Sequence, residues 1–311
     1  MNDTIPSLKL AFFTLPLLLL VPFAKAQLVH ESFSLESGQY SVGSLGGQNS
    51  DATGFDETVN WQAPNNNSVR PVSISNMNLS YENLQTSAGT GSVFGTRTTD
   101  STSGFLSEVY RNSTATAPAA IDNTITVWSS FLFEYDFNGA AVSNANPFRL
   151  NLQFQRSLYV GIDASGNATM QRAGAMPVDN DSIGSGKIAA SGSLAQGSTH
   201  LFLIKTERDL TNNQQTSSLW LNPNLLDGEG GLGSAAISIV ESDENPLLSA
   251  GDAFTLGARF QLTRDSNGAQ EVWFDEFRLG TTFNAVAPIP EPSVFALGLG
   301  LIALLVTLRR R

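Results

Sequence analysis

FRLNLQFQ, residues 148–155, alternates apolar and polar side chains without a break. In an extended strand successive side chains point to opposite faces. Phe148, Leu150, Leu152 and Phe154 therefore share one face, and Arg149, Asn151, Gln153 and Gln155 share the other. A helix would scatter the same eight residues around its axis. The stretch reads as a strand with one side buried and one side in water. AFTLGARFQL, residues 253–262, repeats the pattern with Phe254, Leu256, Ala258, Phe260 and Leu262 on its apolar side. In ITVWSSFLFEYDF, residues 125–137, Phe131, Phe133 and Tyr135 fall on one side and Trp128, Leu132 and Glu134 on the other. LYVGIDASGNATMQR, residues 158–172, reads as a hairpin turning at Asp163–Asn167, where Asp, Ser, Gly and Asn favour a tight reversal. HLFLIKTE (200–207), SSLWLN (217–222) and VWFDEFRLG (272–280) add further strands.

From Leu28 to Ala287 there is no long 3.6-residue periodicity, no internal repeat and no Pro-rich linker; Asn65–Asn67 reads as a loop. Many short strands separated by Gly, Ser and Asn turns predict an all-β fold, a single antiparallel sandwich over residues 27–287. At 41% hydrophobic residues the chain can build a sizeable core. Only 14% of residues are charged, so the polar surface must come from Ser, Thr, Asn, Gln and Gly, as is common in exported β proteins. The net charge is −11, and the stretch between the two ends carries 12 basic against 26 acidic residues. Such a surface repels phosphate backbones and argues against nucleic acid as a partner. The chain has no cysteine, which excludes disulfides, thiol catalysis and Cys-based zinc sites.

The two ends read as addresses. Lys9, an apolar run from Leu10 to Phe23, and Ala24-Lys25-Ala26 before Gln27 predict a signal peptide, residues 1–26, removed at Ala26–Gln27. At the other end, Pro288-Ile289-Pro290-Glu291-Pro292 cannot be helical. A 15-residue apolar segment, 294–308, follows and predicts a short transmembrane helix. Arg309, Arg310 and Arg311 form a positive stop on its cytoplasmic side. The triplet Pro290-Glu291-Pro292, the apolar span and the terminal arginines together resemble the PEP-CTERM sorting signal, here residues 288–311. The resemblance implies processing by an exosortase-type enzyme in a Gram-negative bacterium that makes exopolysaccharide. It also implies transient residence in the inner membrane and delivery to the cell surface or beyond.

The order of elements in the middle also resembles a family. HESFSLESGQYSVGSLGGQNSDATGF (30–55), SFLFEYDF (130–137), VGIDASGNA (160–168), SLWLNP (218–223) and FDEFRLG (274–280) follow one another as in the concanavalin A-like, laminin G-like domains of PEP-CTERM proteins. This implies a jelly-roll sandwich whose first and last strands lie close together. It implies no single activity, since such folds host lectins, glycan hydrolases and adhesive modules. In that fold class a closing-strand acid can bind structural Ca2+ with a residue near the first strand, which makes Asp275 and Glu31 a candidate metal pair. Glycan hydrolases of the class carry Glu-x-Asp-x-Glu on one strand. Glu134 and Asp136 fit, but Asn138 stands where the third acid belongs, and an amide cannot serve as the general acid.

Other signals are weaker. DNDSIG (179–184) resembles the start of a calcium loop but places Ile183 at an oxygen-ligand position. His30 and His200 stand alone in the sequence and read as structural. Trp61, in the loop-like TVNWQAPNNN (58–67), is the candidate glycan contact. The resulting expectation is an exported, non-enzymatic surface or matrix protein with no catalytic residues, associated with exopolysaccharide or biofilm. The alternatives are a lectin-like glycan-binding module and a glycan hydrolase.

Overall fold

The computed structural model describes residues 27–289 except 37–39, 49–52, 56–59, 64–71, 88–90, 97–106, 139–146, 155, 173–187, 243–247, 263, 266 and 267. In chain order the strands are β1 (Gln27–Glu31), β2 (Gly43–Ser44), β3 (Val72–Ser75), β4 (Ser92–Thr96), β5 (Ser107–Thr116), β6 (Thr124–Asp136), β7 (Phe148–Phe154), β8 (Arg156–Ile162) and β9 (Asn167–Arg172). They continue as β10 (Ile188–Ser193), β11 (His200–Asp209), β12 (Gln214–Leu221), β13 (Ile237–Ser242), β14 (Ala253–Phe260), β15 (Arg264–Asp265), β16 (Gly268–Ala269) and β17 (Glu271–Gly280). One helical turn, α1 (Phe283–Val286), follows, capped by the Thr282 side chain, which accepts from the Ala285 amide.

Among the described residues these strands form a nine-stranded sheet, a six-stranded sheet and a two-stranded ribbon of β15 and β16. The larger sheet runs β13-β12-β11-β6-β17-β4-β3-β2, with β1 added beside β17. The smaller runs β10-β9-β8-β7-β14-β5. All the strand pairings are antiparallel. The first and last strands lie side by side, as expected, with Glu31 opposite Phe277 and His30 opposite Arg278.

The two sheets face each other across an aromatic core. Phe133 of the larger sheet stacks on Phe148 of the smaller at 4.9 Å, and Phe254 stacks on Phe277 at 5.7 Å. Each phenyl ring moved from water into such a core contributes about 1.5–3 kcal/mol. The other face of the larger sheet carries a second, smaller cluster. Trp128, Leu132, Leu201 and Leu203 are covered there by Leu79, Leu225, Phe283 and Val286. The strand at 125–137 thus buries both faces in its middle, Phe131 and Phe133 inward and Trp128 and Leu132 outward, as its alternation predicts.

The predicted hairpin forms. Asp163 Oδ1 accepts from the amides of Ser165 and Asn167, and Gly166 turns the chain at φ 77°. A Cβ on Gly166 would also strike the Tyr135 hydroxyl, which donates to the Leu194 carbonyl. Among the described residues no helix is long and apolar enough to cross a membrane; the expected span, 294–308, lies outside them.

Gly95 of β4 lies directly beneath the Phe260 ring from the opposing sheet, where a Cβ would overlap the ring. Gly95→Val should therefore lower stability by about 1–3 kcal/mol, because the ring has no free volume to enter. Urea denaturation of the variant and parent checks this.

Candidate functional site

The six-stranded sheet buries Val109, Leu150, Leu152, Val160, Leu256 and Ala258 on its inner face. The two-residue period sends the intervening side chains outward. Cross-strand register lines these up in rows. One row runs Tyr110, Gly257, Asn151, Tyr159 and Gln171, and the next runs Glu108, Arg259, Arg149, Gly161 and Thr169. Gly257 lowers the floor between Tyr110 and Asn151. The result is a groove of about 420 Å³, lined by Tyr110, Asn112, Asn151, Tyr159, Thr255 and Arg259 among others.

Most polar groups of the groove are positioned by neighbours. Arg259 Nε lies 2.8 Å from Glu108 Oε1. Burial pushes the Arg259 pKa down and Glu108 draws it back up; the guanidinium stays charged. Thr255 Oγ1 donates to Asn112 Oδ1 at 2.9 Å. The Arg149 guanidinium sits over the Tyr159 ring, 4.4 Å from its centroid. Tyr110 is 41% exposed and offers an open ring. On this face three buried atoms make no hydrogen bond among the described residues, Arg149 Nε, Asn151 Oδ1 and Arg259 Nε, the last of which still lies against the Glu108 carboxylate. Buried polar atoms are rarely left in that state without a ligand or water to satisfy them.

The sequence-predicted residues lie elsewhere. Trp61 is 1% exposed; its indole N–H donates to the Tyr40 hydroxyl at 2.9 Å, and its ring packs on Phe33 and Phe55. It is a core residue and presents no face to a glycan: the adjoining Gln62 bridges to Tyr110 of β5, and the indole lies among Phe33, Tyr40 and Phe55. Glu31 and Asp275 do not form a metal pair either. Glu31 lies opposite Phe277, which faces the inner core, and its carboxylate accepts from the Tyr40 hydroxyl at 2.8 Å and Arg111 at 3.3 Å. Its balancing cation is Arg111, itself fully buried. Asp275 lies opposite Leu132 in the outer cluster and accepts from the backbone amides of Leu79 and Glu276. The sheet separates the two acids. Among the described residues no group of three metal-binding side chains forms.

Glu134 and Asp136 share the outer face of the larger sheet with Trp128 and Leu132, on the side away from the groove. Glu134 accepts from Thr199 Oγ1 at 3.0 Å, and Asp136 caps the Asn138 amide at 2.7 Å. His200 is buried, with Nε2 against the Ala195 carbonyl and Nδ1 against the Asn222 side chain. DNDSIG, Ala24, Ala26, Pro290, Glu291, Pro292 and Arg309–Arg311 lie outside the described residues, whereas Gln27 opens β1.

A second polar cluster holds the closing strand. β17 carries an extra residue opposite β6 between Asp275 and Arg278, with Glu276 at φ 51°. The Glu276 carboxylate receives His30 Nε2 at 2.9 Å, Arg278 at 2.7 Å and the Ser87 amide. Burial pushes the Glu276 pKa up, but His30 and Arg278 outweigh it and hold the group below its ordinary value. Asp275 is the opposite case: burial first, then the Glu276 charge, hold its carboxyl well above the ordinary range.

No protein-family model matches the chain, and no curated protein does. Solved structures similar to it include an endo-β-1,4-glucuronan lyase from the fungus Trichoderma reesei, at 13% identity over 84% of this chain and 98% of that one, TM-score 0.43. An endo-1,3-β-glucanase from Streptomyces sioyaensis matches at 9% identity over 82% and 96%, TM-score 0.44. The lectin UEA-II complexed with galactose matches at 9% identity over 82% and 98%, TM-score 0.40. The expectation of a protein without enzymatic activity is corrected by this set, which holds a lyase and a glucanase beside the lectin. At these identities no activity of theirs passes to this chain.

Asp275 fixes the sign of one pH effect. A buried acid whose pKa is raised binds its proton in the folded state and loses it on unfolding near neutral pH. Its cost to stability grows as pH climbs above the ordinary aspartate value of 3.8. Asp275→Asn, which keeps one acceptor oxygen and cannot ionise, should lose this pH dependence, so that its melting temperature relative to the parent rises from pH 4 to pH 7. Thermal melts followed by circular dichroism across that range test it.

Proposed function

We propose that this chain is an exported, envelope-delivered protein whose sandwich binds polysaccharide along the outer face of its six-stranded sheet. The observation that carries the reading is the groove floored by Gly257. An exposed tyrosine stands on one side, and Asn151, whose Oδ1 makes no hydrogen bond among the described residues, lines the groove together with Asn112 and Thr255. Sugar rings offer C–H faces to an aromatic ring and hydroxyls to amides, and a strand-lined trough accepts a chain longer than itself. Tyr110 is the platform, since the Tyr159 ring already carries Arg149.

Tyr110→Ala should weaken binding of the recognised glycan about tenfold without lowering the melting temperature, as the residue is 41% exposed. Affinity electrophoresis against a panel of soluble polysaccharides reads this, with reducing-end release followed in the same samples. Equal retardation of parent and variant by every bound polymer would place the site elsewhere.

Export and sorting belong to the same proposal. Signal peptide 1–26, sandwich 27–287 and sorting segment 288–311, with its span 294–308, give the chain an exosortase-type partner and a membrane stage before release to the surface of a Gram-negative cell. One feature of the fold supports the second of these limits. The Pro288 carbonyl accepts from the Gln85 amide at 2.8 Å and Ile289 packs on the outer cluster, so the folded body runs up to the triplet. Replacing Pro290-Glu291-Pro292 by three alanines should leave uncleaved protein in the membrane fraction. Immunoblots showing equal processing would reduce the triplet to a spacer.

A further inference from the structure

Arg259 and Arg149 are direct cross-strand partners on β14 and β7. Like charges in that position repel one another. Glu108, beyond Arg259, supplies the carboxylate on that side of the row. Arg149 has no ion pair or hydrogen bond among the described residues. Its guanidinium rests on the Tyr159 ring, and its buried Nε has no partner. The arrangement stands out against a chain of net charge −11. Arg149 stands in the row beside the groove, against the Tyr159 ring that lines it. A neutral glycan extending from the groove over that row would cover Arg149 and strip its water while returning no charge, which is costly for a cation. A planar carboxylate returns both, since its two oxygens match the guanidinium fork. Asn151, one residue pair away on the same face, adds an acceptor for a neighbouring hydroxyl.

Building on the polysaccharide reading of this groove, we propose that its occupant is an acidic polysaccharide whose sugars carry carboxylates. Arg149 is the carboxylate-holding residue, the Tyr159 ring fixes its guanidinium, and Asn151 accepts a hydroxyl of the same or the adjoining sugar. Glu108 neutralises Arg259, so the one net positive charge of the row, on Arg149, meets one carboxylate.

The test uses the full chain, purified in mild detergent, with polygalacturonate and alginate as probes, each compared with its own methyl or glycol ester. The ester keeps the backbone and removes the charge. The acid forms should bind about tenfold more tightly than the esters, and the difference should shrink on raising salt from about 50 to 300 mM. Arg149→Gln should remove the preference for the acid forms, and Arg149→Lys should restore part of it, with melting temperatures unchanged. Equal binding of acids and esters would overturn the carboxylate assignment while leaving the groove as a glycan site. So would a sulfated galactan that outbinds both acids. A preference that survives in Arg149→Gln would overturn the role of Arg149. Failure of every acidic and neutral polymer to bind would instead sink the groove reading beneath it.

Discussion

The two-residue period of β7 governs both the core and the groove. Phe148, Leu150 and Leu152 must all face inward for the sheets to pack, and that choice forces Arg149 and Asn151 outward. A slip of one residue would exchange the two sets, burying a guanidinium among phenyl rings. The neighbours β14 and β8 obey the same constraint, so register alone sets Arg149 beside Arg259 and Asn151 beside Tyr159. The groove needs no loop to shape it. It is the back of the core, opened where Gly257 contributes no side chain.

Closure of the larger sheet is a separate problem with a polar answer. β17 pairs with β6 along one side and with β4 and β1 in succession along the other. The added residue near Glu276 is where the strand passes from β4 to β1. Its backbone strain is held by His30, Arg278 and Ser87 on the Glu276 carboxylate. On the inner side Arg111 and Tyr40 hold Glu31. Breaking one partner of such a buried pair costs far more than the pair itself contributes, because a lone charge stays behind. The joint between the first and last strands is therefore specific rather than merely strong.

Much of this was legible in the chain itself. Alternation in residues 125–137, 148–155 and 253–262 identifies the strands and their buried faces, and Asp163–Asn167 identifies a turn, because both are local properties. Arg149 and Asn151 are recognisable as outward-facing from one strand alone. Their neighbours are not, since Tyr110, Arg259 and Tyr159 arrive from three other strands and meet only through register. Trp61 misleads for the same reason: its surroundings in sequence are polar, yet its neighbours in space are Phe33, Phe55 and Tyr40. Glu31 and Asp275 look like two carboxylates in need of a cation until β5 delivers Arg111 to one of them. In a fold of high sequence separation, charge partners are long-range facts.

We place polysaccharide along the outer face of the six-stranded sheet. A crystal structure of the protein with a bound acidic oligosaccharide tests this most directly. The structure described here predicts sugar density along the groove, over Tyr110, with a carboxylate against Arg149. Density confined to the loops, or to the outer face of the nine-stranded sheet beside Glu134 and Asp136, would contradict it.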